Sequence, residues 1–236
     1  MMAYKRLLLK WSGEALADNS GSGIDEKALD HAAEQVRRLV DNGHEIGIVN
    51  GAGNFWRGRL SEGMDRAEAD QIGMLATVMN AIALRDAFTR KGLQVELMTA
   101  VPMPTVAEPV DAVKARRFLS EGKVVIFAGG TGNPFFSTDS AAALRAAMIH
   151  ADVILKATQV DGVYDRDPNL YPDAVRYDTI TYDEILEKRL GVIDATAAAL
   201  CRDFNQVLLV FSNSDPELLI RAARGEKIGT TVVAKR

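Results

Sequence analysis

The sequence predicts an α/β fold: a mostly parallel central sheet covered by helices on both faces, a three-layer sandwich. Three observations predict it. Short apolar runs alternate with longer helical patterns along the whole chain, glycine-rich turns follow several of the apolar runs, and no repeat, low-complexity linker or compositional break interrupts the alternation. Strands joined through helices pair in parallel with right-handed crossovers, which places helices on both sides of one sheet.

Taken in order, residues 6–11 (RLLLKW) read as a buried strand, and a stretch rich in Gly, Ser, Asn and Asp follows to Gly23. A helix is predicted over 25–42, with Asp25 as N-cap, Ile24 and Leu29 as a hydrophobic staple and Gly43 closing it. Residues 44–49 form a second strand that runs into Gly51-Ala52-Gly53-Asn54. A long helical pattern spans 65–91 and ends at Gly92, with a strand at 93–99. Residues 101–109 hold three prolines and are expected to be loop. A helix at 111–120 leads to the strongest strand, 123–128 (KVVIFA), and to the turn 129–134 (GGTGNP). A helix at 138–150 and a strand at 151–156 (ADVILK) follow. Helices at 182–190 and 195–205, a strand at 207–211, a helix after Pro216 and a strand at 230–235 complete the pattern. A single domain over 1–236 is expected.

With 236 residues, 47% of them apolar, the chain can bury a substantial core. Its net charge of −4 and pI of about 5.5 offer no basic field to nucleic acid or to an anionic membrane, so neither is expected as a partner. The single cysteine, Cys201, excludes an internal disulfide framework and suits a reducing cytosol. Its apolar surroundings predict a buried helix position. Residues 1–11, broken by Lys5, Arg6 and Lys10, do not read as a signal peptide, and no apolar stretch approaches the roughly 20 residues of a membrane span. A soluble, cytoplasmic protein is expected. His31, His44 and His150 are widely spaced, so no histidine metal centre is expected.

Ligands of open parallel sheets collect at the carboxyl ends of the strands. Here those ends carry Lys10 with Ser12-Gly13-Glu14, then Gly51-Ala52-Gly53, then Gly129-Gly130-Thr131-Gly132, then Lys156 with Thr158. Glycine turns let backbone N–H groups approach phosphate oxygens, and one such turn alone would be weak support because tight βα turns use glycine anyway. Three of them beside two lysines point to phosphate binding. The common alternatives fail: there is no G-x-x-x-x-G-K-[ST] loop, no third glycine for a dinucleotide fingerprint, no Gly-x-Ser-x-Gly elbow, and Leu84-Arg85-Asp86 lies within a helical pattern.

Five segments together resemble the bacterial UMP kinases of the amino-acid-kinase family. They are Lys10-Trp11-Ser12-Gly13-Glu14-Ala15-Leu16, the stretch 51–58 (GAGNFWRG), 74–81 (MLATVMNA), 130–141 (GTGNPFFSTDSA) and 156–164 (KATQVDGVY). The resemblance runs from about Lys5 to the C-terminus. It implies the amino-acid-kinase (carbamate-kinase-like) fold, with about 1–150 as the phosphoryl-acceptor half and about 151–236 as the ATP half. It implies transfer of the γ-phosphoryl of ATP to UMP, with Mg²⁺ accompanying ATP, and a cytoplasmic homohexamer activated by GTP and inhibited by UTP. Trp11 stands where the family has an aliphatic residue, and Ala52 stands in a glycine-rich run.

The resemblance assigns Lys10, Asp139 and Lys156 to catalysis. Lys10, Ser12, Gly13, Gly53, Arg57, Thr158, Tyr164 and Asp167 would bind ATP. Ala52, Asp70, Thr131, Gly132, Asn133, Pro134, Phe135, Phe136, Ser137 and Thr138 would bind UMP, with Asp70 on the ribose hydroxyls. Asp18, Asn19, Ser20, Gly21, Ser22 and Gly23 match the part linked to GTP activation, and read as a flexible loop. Read without the resemblance, Lys10 could snorkel from its strand, Arg57 and Asp70 could be surface groups, Asp139 could cap a helix, and 165–168 could be a solvated turn. Two rival functions stay open: a kinase phosphorylating a carboxylate, against which the 131–138 string speaks, and a nucleotide-binding protein without turnover, for which the set Lys10, Asp139 and Lys156 would be unnecessary.

Overall fold

The structure, a computed structural model, describes residues 3–18, 20–56 and 63–235. In chain order its elements are β1 (Arg6–Trp11), a short 3₁₀ turn (Gly13–Leu16), α1 (Glu26–Asp41), β2 (Glu45–Asn50), α2 (Arg66–Arg90), β3 (Val95–Thr99), β4 (Glu108–Pro109), α3 (Ala112–Ser120) and β5 (Val124–Ala128). Then follow α4 (Thr138–Ile149), β6 (Val153–Thr158), β7 (Thr179–Thr181), α5 (Tyr182–Glu187), α6 (Ala195–Asp203), β8 (Val207–Ser212), α7 (Pro216–Ala223) and β9 (Thr230–Val233). The strands form one nine-stranded sheet in the order β4-β3-β5-β2-β1-β6-β8-β9-β7.

The central strand shows why the chain folds in three layers. Leu7, Leu8 and Leu9 of β1 are all fully buried, and successive side chains of a strand point to opposite faces. Leu7 and Leu9 join one core with Val36 of α1, Phe88 of α2 and Ile220 of α7. Leu8 joins the other with Leu119 of α3, Ala146 of α4, Ile185 of α5 and Cys201 of α6. The stretch of a strand buried on both faces is apolar throughout, as LLL (7–9) and VVIFA (124–128) are. Each such leucine contributes about 1.5–3 kcal/mol by leaving water.

Asp25 caps α1 by accepting from the Lys27 N–H, and Gly43 follows the helix end at φ 87°. Trp11 is buried edge-on against Phe88, with ring centroids 6.2 Å apart. Three features depart from the sequence expectation. The proline-rich stretch ends in β4, which pairs with β3 through Met98–Glu108 and Thr99–Pro109; an edge strand tolerates the proline. β7 pairs in parallel with β9, and β9 runs antiparallel to β8. Both β4 and β7 are too short to show a period in sequence. Among the described residues no helix is long and apolar enough to cross a membrane.

Candidate active site

Parallel register places Lys10 of β1 directly beside Lys156 of β6. Two neighbouring ammonium groups near the ends of buried strands would repel unless a carboxylate lay between them, and α4 supplies it. Lys10 Nζ lies 3.1 Å from Asp139 Oδ1, and Lys156 Nζ donates to Asp139 Oδ2 at 2.7 Å and to the Val192 carbonyl at 2.6 Å. Asp139 sits in the first turn of α4, while the cap itself is Ser137, whose hydroxyl accepts from the Ser140 N–H. The capping alternative for Asp139 therefore does not hold. Alanines 141, 142, 143 and 146 are buried, and these small side chains let α4 lie close against the sheet and deliver the carboxylate. Burial opposes ionisation of Asp139, but the Lys10 and Lys156 charges outweigh it and hold the carboxyl below its usual range. Burial pushes Lys156 below the usual lysine range against the pull of Asp139.

The backbone beyond β1 crosses the backbone beyond β2 almost in contact. A Cβ on Gly13 would come 2.6 Å from the Gly53 nitrogen and 2.5 Å from Asn54 Oδ1, so only glycine fits there. Ala52 is absent from the positive-φ positions, so the alanine in this glycine-rich run needs no special backbone. The crossing is held by amides that the sequence reading did not single out. Asn54 and Asn80 exchange side-chain hydrogen bonds of 2.9 and 2.8 Å, and Asn80 also donates to the Gly51 carbonyl at 2.9 Å. Asn50 donates to the Thr77 carbonyl at 2.9 Å, while Thr77 Oγ1 accepts from the Gly129 N–H at 2.8 Å. The strand-end turns after β2 and β5 are thus tied to one helix, α2.

These turns and α2 enclose a cavity of about 450 Å³. Ala52, Asp70, Thr131, Asn133, Phe136, Ser137 and Thr138, all expected on the acceptor side, line it, and so does Gly53, expected on the ATP side. Gly132, Pro134 and Phe135 shape the turn without lining the cavity. Phe135 is 68% exposed and held at φ 71°, in the left-handed region that non-glycine residues rarely adopt, with its N–H donating to Asp70 Oδ2 at 2.8 Å. Asp70 also accepts from Arg66 Nε at 2.9 Å on both oxygens. Trp56, Arg66, Met74 and Thr77 line the same cavity and are not among the expected site residues; Trp56 falls within the 51–58 string and Met74 and Thr77 within the 74–81 string, while Arg66 carried no such signal.

Two further cavities meet at Lys156 and Thr158. One, of about 520 Å³, is lined by Lys10, Ser12, Lys156 and Thr158 together with His31 and Asn213. The other, of about 590 Å³, shares Lys156 and Thr158 and adds Tyr164, Asp167, Lys188 and Val210. Tyr164 Oη donates to Asp161 Oδ1 at 2.5 Å, and Asp167 Oδ1 accepts from the Asn169 N–H at 2.9 Å, so both closing residues are engaged within their own loop. Arg57 lies outside the described residues, as does Asn19. In the rest of the 18–23 stretch, Asp18 Oδ1 accepts from the Ser20 N–H at 2.8 Å. Gly23 exchanges hydrogen bonds with Asn54, its N–H donating to the Asn54 carbonyl at 3.0 Å. Among the described residues no group of three His, Cys, Asp or Glu side chains could hold a metal ion.

Known proteins share this architecture. Residues 5–212 match the model of the amino acid kinase family. A uridylate kinase of Alcanivorax borkumensis is 54% identical over 233 residues, which is 98% of this chain and 92% of that protein. The crystal structure of UMP kinase from Bacillus anthracis superposes with a TM-score of 0.95 at 40% identity, covering 99% of this chain and 97% of that one. UMP kinase from Ureaplasma parvum superposes at 0.91 with 36% identity, covering 98% of this chain and all of that one.

Proposed function

The chain belongs to the bacterial-type UMP kinases of the amino acid kinase family, and on that premise we propose that it phosphorylates UMP to UDP by in-line transfer from Mg-ATP. One observation supports the mechanism: Lys10 and Lys156, side by side on paired strands, converge on Asp139, and both lysines line one cavity while Lys156 also lines a second.

In the proposed arrangement about 1–150 supplies the acceptor half and about 151–236 the ATP half. UMP occupies the 450 Å³ cavity, its ribose hydroxyls donating to Asp70 and its phosphate facing the turns at 51–53 and 129–131. ATP lies across the donor side, near Ser12, Thr158, Tyr164 and Asp167. Phosphoryl transfer spreads negative charge over the equatorial oxygens, and fixed ammonium groups stabilise that charge without reorganising. Asp139 holds both lysines in place and leaves the pair with a net charge of one cation. No strong general base is needed, because the acceptor is already a phosphate anion; positioning and charge supply the rate. Mg²⁺ arriving with the nucleotide would neutralise part of the phosphate charge during transfer and would need few protein ligands. The family resemblance supports the rest of the reading: a role in pyrimidine nucleotide biosynthesis in the cytoplasm, as a homohexamer with GTP as activator through the 18–23 stretch and UTP as inhibitor.

Recognition of uracil distinguishes this reading from its relatives. A site that donates to the uracil carbonyl meets a second donor when cytosine enters, and an unpaired buried donor costs about 1–3 kcal/mol. Sites built on such bonds reject the wrong base strongly. A coupled ADP-release assay across UMP, CMP, aspartate and glutamate is the test. UMP should be preferred strongly over CMP, with Thr138→Ala narrowing the gap or weakening UMP binding. A kcat/KM for CMP within about threefold of that for UMP would overturn the specificity.

A further inference from the structure

The acceptor side carries a buried cation that the transfer described above does not use. Arg145 of α4 is only 4% exposed. Its Nη2 donates to the Gly130 carbonyl at 3.0 Å, its Nη1 lies 3.0 Å from Met148 Sδ, and its Nε has no partner. Burial alone pushes the guanidinium down to about 10, with no carboxylate opposing it. Buried charges are ordinarily paired, because an isolated one loses its hydration without return. Asp139 on the same helix pairs with the two lysines and has no part in the shift of Arg145.

The one polar backbone group that Arg145 touches belongs to a peptide bordering the acceptor cavity. Gly130 O and the Thr131 N–H are the two ends of one peptide group, and in a trans peptide they point in opposite directions. A cation on the carbonyl end polarises the group and strengthens the N–H at the other end as a donor. Gly129 and Gly130, at φ 76° and 59°, set the orientation of this turn, and both Gly130 and Thr131 line the cavity.

We propose that Arg145 is a positioning residue for the acceptor phosphate: a buried charge that acts through the Gly130–Thr131 peptide and is balanced by the phosphate dianion itself. This rests on the acceptor reading of the cavity. The distinguishing property is charge selectivity, since a purely structural arginine would support nucleoside and nucleotide alike.

The test titrates UMP and uridine into wild type, R145Q and R145K, read by the fluorescence of Trp56 in the cavity wall. R145Q should weaken UMP at least about tenfold where the phosphate is a dianion, while uridine affinity and the KM for ATP change less than about twofold. Wild-type UMP affinity should climb through the second phosphate ionisation near pH ~6, and R145Q should flatten that profile. R145K, which keeps the charge, should restore most of the preference for UMP over uridine. Equal loss of UMP and uridine, or no loss of either, would overturn the proposal. If R145Q does not fold, R145M offers a charge-free side chain suited to a buried site and is read by the same criteria. A wild type that ignores UMP would sink the acceptor reading instead. Inorganic phosphate then becomes the probe, and its binding must weaken in R145Q if the charge role of Arg145 is to stand.

Discussion

At the scale of single residues, the site is an arrangement of charges held by one another. Lys10 is the simplest to test, because it points from a strand that is buried whatever its side chain does. Lys10→Ala should lower kcat by at least about a hundredfold while leaving the circular dichroism and Tm near wild type; near-normal turnover would remove Lys10 from the mechanism. Asp139 is different, because it serves both stability and rate. Its carboxyl is held below the usual range, so its stabilising charge is fully present above the usual carboxylate pKa and is lost as pH falls through its lowered value. At neutral pH wild type should therefore be insensitive to small pH changes. Asp139→Asn leaves two ammonium groups facing each other in a mostly buried site and should cost about 3–5 kcal/mol, read by chemical denaturation. Burial already pushes Lys156 down, and the carboxylate is what opposes it. In Asp139→Asn the Lys156 ammonium should therefore be lost at lower pH than in wild type, and the fall of kcat with rising pH should set in earlier than in wild type. A profile unchanged from wild type would show that Lys156 does not need Asp139 to stay charged.

Elements translate those charges into positions, and here the sequence was legible to differing degrees. β1 and β5 declared themselves by unbroken apolar runs, α1 by Asp25 and Gly43, and the lysines by lying next to strand ends. β4 and β7 did not, since two or three residues carry no period. The cradle between the turns was hidden for another reason. Asn54 and Asn80 belong to different elements, and nothing in either neighbourhood says that their amides meet. The grip of Arg66 on Asp70 follows helical i,i+4 spacing and could have been read, but the N–H that Phe135 brings to the same carboxylate depends on a left-handed residue. The amide pair gives an element-scale prediction. Asn80→Ala removes the donor to Asn54 Oδ1 and one of the two side-chain donors to the Gly51 carbonyl, leaving a buried amide oxygen unpaired at a cost of about 1–3 kcal/mol. Because the turn it supports lies between acceptor and donor, KM should rise for both UMP and ATP. A stability loss with both KM values unchanged would mean that the network holds the fold without positioning the turn.

At the scale of the whole molecule, α2 presents more apolar surface than one chain can cover. Its inner face, with Val78, Ala81, Leu84 and Phe88, is buried in the core, as a helix packed on a sheet requires. Its outer face carries Ile72, Leu75, Met79 and Ile82, exposed by 37, 46, 50 and 39%, at spacings of three, four and three residues that align them into a single stripe. Scattered exposed apolar residues need no explanation, but a contiguous stripe marks an interaction surface. The helical pattern over 65–91 is thus two-faced, with Val78 and Leu84 inside and Leu75, Met79 and Ile82 outside. A closed homo-oligomer can cover such a face by setting it against its own copy across a twofold axis, which suits a hexamer assembled from dimers. If the proposed hexamer forms, light scattering at micromolar concentration should give a mass near six times the 25.6 kDa chain. The double substitution Leu75→Glu and Met79→Glu should place like charges at the centre of the contact and shift the mass downward, with helical content unchanged because both positions face outward. Wild type running as a monomer would sink the assembly. A double variant that stays hexameric would leave the assembly standing and move its contacts to another face.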